Sequence, residues 1–241
     1  MTAVPEHVEP VPALTALGFI AYTTTRAFGT LGTAGEEPVR DVMGRWQRIG
    51  AHLLAAGIPR LATASQVHGA RVITHHADWE GWLRVPDADG HACGAGPATG
   101  VAVTVADCVP VFLAHPSGAM ALLHSGWRGT EARIVEAGID ALARLGCPAS
   151  ELSVHLGPAI CGRCYEVSPD VYGRLTGTAV HRATPVDLRS LIAEHAAARG
   201  VRRVTVDAAC TRCHNTRFYS HRAGDGGRQI SVMAAPPQHF A

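Results

Sequence analysis

Hydrophobic and polar positions alternate between two periods along this chain. Residues 17–25 (LGFIAYTTT) are aromatic and β-branched, which predicts a strand. Over 38–56 the apolar residues Val39, Val42, Met43, Trp46, Leu53 and Leu54 recur at helical spacing, with Pro38 at the first helical position and Gly57 as the stop. Residues 83–100 are rich in Gly, Asp and Pro and read as a loop. VAVTVAD (101–107) and VPVFLAH (109–115) read as one long buried strand interrupted near Cys108. Pro116, Ser117 and Gly118 then make a turn, and AMALLHS (119–125) returns, so 101–125 reads as a hairpin. A helix is predicted from about Thr130 to Leu145, with Ile134, Ile139, Leu142 and Leu145 near one stripe and Gly146 ending it. Strands follow at 151–157, 202–208 and 228–234, and Asp187 caps a helix running to Arg199 before Gly200. Strands and helices mix without strict alternation and no repeat is visible. This predicts a single α+β domain with layered β-sheets and helices packed outside. The Pro-rich residues 1–15 are expected to be a loosely ordered N-terminal segment, with the domain spanning 16–241.

With 241 residues the chain is long enough to bury a core, and 47% hydrophobic content excludes disorder. No apolar run approaches the roughly 20 residues of a membrane helix, and the start lacks a signal-peptide pattern, so a cytoplasmic location is expected. A formal net charge of +1 gives no field to draw nucleic acid or anionic lipid. All 21 basic residues are arginines, so any anionic ligand must be held by guanidinium forks and lysine Schiff-base chemistry is closed to this protein. Seven cysteines in such a chain point to metal ligands, nucleophiles or buried small hydrophobes rather than a disulfide framework.

Three segments concentrate candidate chemistry. Ser65-Gln66-Val67-His68-Gly69 sets a histidine between an apolar residue and a glycine, which alone is as compatible with an ordinary surface or core histidine. Asp107-Cys108 ends a buried run, and Pro110 breaks the strand there; the plain alternative is an inert buried thiol. His124-Ser125-Gly126-Trp127-Arg128-Gly129 closes the hairpin with glycines that allow close backbone approach and an arginine fork. Cys108 and His124 lie on the two arms of the hairpin but are not symmetric about its turn, so their meeting needs a bulge or an offset. Two histidines and one cysteine suit zinc, and three protein donors leave the open position of a catalytic site. A rival is Cys161-x-x-Cys164 with Cys210-x-x-Cys213, the spacing of a structural zinc ribbon, unless the pairs sit on separate elements facing different ways. Phe218-Tyr219-Ser220-His221-Arg222 and Gly226-Gly227-Arg228 read either as a solvated loop or as an aromatic and arginine wall for an anionic, ring-bearing substrate.

From about residue 19 to the end the chain resembles the polyphenol-oxidase or laccase-domain family, better described as purine nucleoside phosphorylases with adenosine deaminase activity. The motifs that carry the likeness are Thr24-Thr25-Arg26, Ser65 to Gly69, Asp89-Gly90, Ala106 to Val111, His124 to Gly129, Leu156 to Ile160, Tyr165-Glu166-Val167, Cys210-Thr211, Phe218 to Arg222 and Gly227-Arg228. The resemblance implies a single domain of layered, mixed β-sheets with helices packed outside and a catalytic zinc on His68, Cys108 and His124, with copper as a possible substitute. It further implies phosphorolysis of adenosine, inosine, guanosine and S-methyl-5'-thioadenosine, and deamination of adenosine, by a cytoplasmic monomer or homodimer. The partners expected are purine nucleosides and phosphate, with no nucleic acid and no membrane. Arg26, Arg128, Arg222 and Ser220 are candidates for phosphate or substrate contacts, and Asp107 for proton transfer. Ser125 replaces the family's usual Ala. Arg26-Ala27-Phe28-Gly29-Thr30 replaces its usual glycine pair, so substrate choice at that loop is open. The CxxC pairs fit one branch of the family, where the cysteines sit inside otherwise matching motifs. Two further readings use the same side chains. One is copper-dependent polyphenol oxidation, which the absence of any His-x-His pair disfavours. The other is a metal-free cysteine hydrolase with Cys108 as nucleophile and His124 or His68 as base. A non-enzymatic module stabilised only by the CxxC pairs is the remaining alternative.

Overall fold

The computed structural model describes residues 5–33 and 35–237. Two six-stranded mixed sheets stack face to face. The first runs, edge to edge, through Val8–Pro10, Ile20–Thr24, Gln229–Ala234, Thr99–Val105, Arg60–Ala64 and Gly81–Val85. The second runs through Arg203–Val206, Ser153–Leu156, Val109–Ala114, Met120–Ser125, Gly90–Cys93 and Val72–His75. Phe19, Val101, Val103 and Met233 of one sheet meet Phe112, Met120 and Leu122 of the other, forming the inner core. The helix Val39–Ala55 covers the outer face of the first sheet through Val42, Trp46, Ile49 and Leu53. Helices Ile134–Arg144 and Leu188–Ala198 cover the second through Ile134, Ile139, Leu142 and Ile192. The architecture is therefore the α+β layering read from the sequence, with helices outside two mixed sheets.

Several elements fall where the pattern put them. The strand Ile20–Thr24, the hairpin from Val109 to Ser125 and the Asp187-capped helix are present, the cap accepting from the amides of Arg189 (3.0 Å) and Ser190 (3.3 Å). Others differ for physical reasons. Residues 101–115 are not one strand: Thr99–Val105 pairs within the first sheet and Val109–Ala114 within the second. Both are buried along nearly their whole length, so each is largely apolar and hydropathy does not mark the change of sheet. The crossing is made at Asp107, whose φ of +80° turns the chain. The stretch 83–100 is not a plain loop but holds parts of three strands, because parallel pairing with their neighbours overrides its composition. Gly90 is needed there, since a Cβ would lie 2.6 Å from Leu123 Cδ2. The helix expected over 130–145 is two, Trp127–Glu131 and Ile134–Arg144, broken by Arg133 at φ +60°. Pro38 stands just before the helix, and Val39 and Leu54 face outward rather than onto the core. Within the segment expected to be loosely attached, Val8–Pro10 pair with Tyr22–Thr24, and Val11 and Leu14 are buried; residues 1–4 lie outside the described residues. Among the described residues no helix is long and apolar enough to cross a membrane.

Candidate active site

His68 follows the strand Arg60–Ala64 of the first sheet, whereas Cys108 and His124 belong to the hairpin of the second, so the site forms where the sheets converge. The hairpin register resolves the asymmetry noted above. Pro110 lies opposite His124 and Val109 opposite Ser125, so continuing the ladder by one residue sets Cys108 against Gly126. Cys108 and His124 are then diagonal neighbours on one face, and no bulge is required. Gly126 has to be glycine: a Cβ there would sit 2.9 Å from Cys108 Sγ and 3.4 Å from His68 Cδ2. One donor atom from each of His68, Cys108 and His124 lies within 4.8 Å of the others. The two imidazoles meet edge to face at 4.8 Å.

Asp89 organises this cluster, a role the sequence did not suggest. Its carboxylate is fully buried. Oδ1 accepts from the His68 amide (3.0 Å) and pairs with His124 Nδ1 (2.9 Å), while Oδ2 accepts from the amides of Val67 (3.2 Å) and Gly69 (2.7 Å). These bonds pin the left-handed backbone at His68 (φ +60°) and assign the Nδ1 proton to the aspartate side, turning Nε2 toward the donors. Burial pushes the Asp89 carboxyl upward, but the bonds from His124 and Gly69 outweigh it and hold it below the usual aspartate range. Burial likewise opposes charge on Cys108 and His124, yet each stabilises the other. The thiol falls to about 6 through the His124 charge, and the imidazole rises to about 9 through the Cys108 thiolate and Asp89. Cys108 is therefore poised as a thiolate, the form in which cysteine binds metal or attacks an electrophile.

Asp107 is buried and committed on both oxygens. Thr211 Oγ1 donates to Oδ1 at 2.6 Å, and the Arg222 amide donates to Oδ2 at 2.7 Å. The carboxylate thus clamps the 211–222 segment beside Cys108, a geometry that favours positioning over proton transfer.

The cluster opens into a cleft of about 960 Å³. Trp46 and Trp82 stack at 4.8 Å along its wall, Trp82 held by a bond to Thr63 Oγ1 (2.8 Å) and Trp46 by one to the Leu31 carbonyl (3.0 Å). Gln66 closes a ring with Thr104 through three hydrogen bonds, and Arg84, His221, Asp225 and Arg228 supply the polar lining. The anion donors expected from the sequence lie elsewhere. Arg26 binds Asp225 (2.5 Å) and the carbonyls of Asn215 and Phe218. Arg128 lies over Trp127. Arg222 donates to the Glu166 carbonyl (2.8 Å) and lies over Tyr165. Ser220 is fully buried, its hydroxyl accepting from the Ala223 amide. None of the four lines the cleft. Arg222 and Arg128 stand instead around Tyr165, whose phenol is raised to about 12 first by burial and then by the charge at Cys108. Trp46, Trp82, Arg84 and Arg228 as one wall were not visible in the sequence, since a helix, an edge strand and a C-terminal loop bring them together. The two CxxC pairs are also brought together, outside the cleft lining.

A family model described as multi-copper polyphenol oxidoreductase laccase matches residues 27–236. A purine nucleoside phosphorylase of Mycobacterium tuberculosis is 35% identical over 232 residues, covering 88% of this chain and 90% of that one. A second purine nucleoside phosphorylase, from Pseudomonas aeruginosa, is 36% identical over 181 residues, covering 70% and 71%. The crystal structure of YlmD from Geobacillus stearothermophilus superposes with a TM-score of 0.81 at 26% identity, covering 90% of this chain and 92% of that one. A hypothetical protein YfiH of Bacillus licheniformis reaches 0.84 at 20% identity, over 96% and 97%, a likeness that bears on fold alone.

Proposed function

This chain belongs to the multi-copper polyphenol oxidoreductase laccase family, and from that premise we propose that it is a metal-dependent purine nucleoside phosphorylase with adenosine deaminase activity at the same site. The observation that carries the reading is a three-donor His/Cys cluster opening onto a cleft walled by stacked tryptophans. Relatives named purine nucleoside phosphorylase support it. The substrates are adenosine, inosine, guanosine and S-methyl-5'-thioadenosine, with phosphate as co-substrate.

His68, Cys108 and His124 would hold the metal. A thiolate and two imidazoles within 4.8 Å suit zinc, with copper as a substitute. Bound there, zinc supplies Lewis acidity toward an oxygen or nitrogen of the substrate. The chain's own residues do the rest. Trp82 and Trp46 offer a flat apolar face to a purine ring. Breaking the N-glycosidic bond builds positive charge on the sugar, so phosphate must be held beside it. Arg84 and Arg228, which line the cleft, are the candidates for that task. Asp89 keeps His124 oriented, and Asp107 holds the wall carrying Arg222.

Cys108 beside His124 also suits a cysteine hydrolase with His124 or His68 as base, but that reading needs only two of the three converging donors. A multicopper oxidase needs further histidine clusters. Among the described residues, only two groups of three or more metal donors converge, and the second is all cysteine. The deciding experiment incubates protein of known metal content with adenosine, with and without phosphate. Adenine plus ribose 1-phosphate is expected only with phosphate, and inosine plus ammonia without it. Neither product from metal-replete protein would sink the proposal, and full activity from metal-free protein would transfer it to the hydrolase.

A further inference from the structure

We propose that Cys161, Cys164, Cys210 and Cys213 form a second, closed metal site holding one structural zinc ion. Their four sulfurs lie within 4.8 Å of one another, and Cys164 Sγ and Cys213 Sγ are 3.4 Å apart. Tetrahedral zinc with Zn–S bonds of about 2.3 Å sets its sulfurs about 3.8 Å apart, so the cluster needs only small adjustments to close on the ion. A disulfide demands about 2.05 Å, much shorter than the 3.4 Å between Cys164 Sγ and Cys213 Sγ.

The backbone is arranged for thiolates. The amides of Cys161 (3.3 Å) and Cys213 (3.4 Å) both point at Cys210 Sγ, bonds that stabilise negative sulfur. The two segments run side by side: Ala159 bridges to Cys210, and the Thr211 amide donates to the Ala159 carbonyl. Each pair encloses an arginine, Cys-Gly-Arg163-Cys and Cys-Thr-Arg212-Cys. Four thiolates on one divalent ion leave a double negative charge, which these two exposed guanidinium groups offset. Four protein donors leave no vacant position, the pattern of a structural rather than a reactive ion.

The position of this site gives it a purpose. Thr211, inside the second pair, donates to Asp107 beside Cys108. Tyr165, directly after the first pair, underlies Arg222. An ion joining the two segments would therefore set the wall of the reactive cluster without touching substrate.

The test counts metal and thiols on the full chain purified from zinc-supplemented cells. About two zinc ions per chain and seven titratable thiols in denaturant are expected, and His124→Ala protein should keep about one zinc. Cobalt loaded into His124→Ala protein should show the intense sulfur-to-metal charge-transfer bands of a four-thiolate site. Cys213→Ser should lose that ion and melt about 10 °C lower or more. No zinc in the wild type, a zinc-free His124→Ala protein, or three thiols in place of seven would each overturn the proposal. These readouts need no substrate, so they stand apart from any failure of the phosphorylase assignment, and those on wild-type and His124→Ala protein decide the matter even if the cysteine variant does not fold.

Discussion

The two donor clusters use overlapping chemistry to opposite ends. His68, Cys108 and His124 supply three donors of two kinds and face a cleft of about 960 Å³; Cys161, Cys164, Cys210 and Cys213 supply four sulfurs and lie outside that lining. Their supports differ as well. The first is backed by a buried carboxylate that holds one imidazole and the loop of another, the second by its own peptide amides. The donor count left to the protein, more than the residue type, separates a centre that can act on a substrate from one that can only hold segments together.

The comparison breaks most sharply at His124. His124→Ala should lower kcat/KM by about a thousandfold or more, because it removes a donor from the open cluster and leaves Asp89 without its imidazole partner. Thermal melting should change little beside the loss of the cysteine-bound ion. The same contrast governs metal removal. A mild chelator should strip the open site first, abolishing turnover before the melting temperature moves. Parallel assays of activity, zinc content and melting on one chelation series check this order, and simultaneous loss of all three would erase the distinction.

Asp89→Asn comes next, with an expected 10–100-fold loss of metal affinity. An amide cannot accept four hydrogen bonds as the carboxylate does, and its NH₂ group would face the amides of Val67 and Gly69. The carboxyl is held below its ordinary value in the folded state. The stability it contributes is therefore complete above about pH 4, the unfolded value, and is lost as pH falls through the lower folded value. Asp89→Asn should flatten that acid limb of a denaturant-midpoint profile, with zinc titration giving the affinity change.

Much of this was legible in the chain and some could not be. Cys108 and His124 stand out because a polar residue interrupts or closes an apolar run, and His68 only because the ordered motif around it, like theirs, resembles one family. Asp89 was missed because Asp-Ala-Asp-Gly reads as turn chemistry. Only the pairing of Gly90–Cys93 with Val72–His75 and Met120–Ser125 buries it immediately before a strand. The change of sheet at Asp107 was hidden because strands buried on both faces lose their two-residue alternation. The four cysteines were legible as two pairs, but whether the pairs met depended on the parallel approach of Ala159 and Cys210, which no local pattern encodes. The arginines misled for a related reason: abundance in a motif says nothing of which carbonyl or ring a flexible guanidinium reaches.

Trp82→Ala sharpens the open side of the comparison. Trp82 is 41% exposed, so loss of its ring should cost little stability. A base stacked on it would lose about 1–3 kcal/mol, the range for base–aromatic stacking. KM for adenosine should therefore rise about tenfold with kcat nearly unchanged, while both metals are retained. Steady-state kinetics separate this from a structural effect, and an unchanged KM would remove the aromatic wall from the binding site.

The smallest effect tests the link between the clusters. Thr211 lies within the second cysteine pair and is fully buried, and its hydroxyl donates to Asp107 Oδ1 at 2.6 Å. Thr211→Val keeps the shape and removes that donor, while the Arg222 amide still holds Oδ2. A bond to a charged group is worth about 1.5–3 kcal/mol to folding, but only the part that shifts the wall beside Cys108 reaches turnover. A two- to fivefold fall in kcat is therefore expected, roughly, with KM and both metal counts unchanged and Thr211→Ser restoring the rate. If the cysteine site acts on the open cluster through this hydroxyl, the kcat losses of Thr211→Val and Cys213→Ser should overlap in the double variant rather than multiply, since both interrupt one path. Multiplying losses would mean that the two centres share a fold and nothing more.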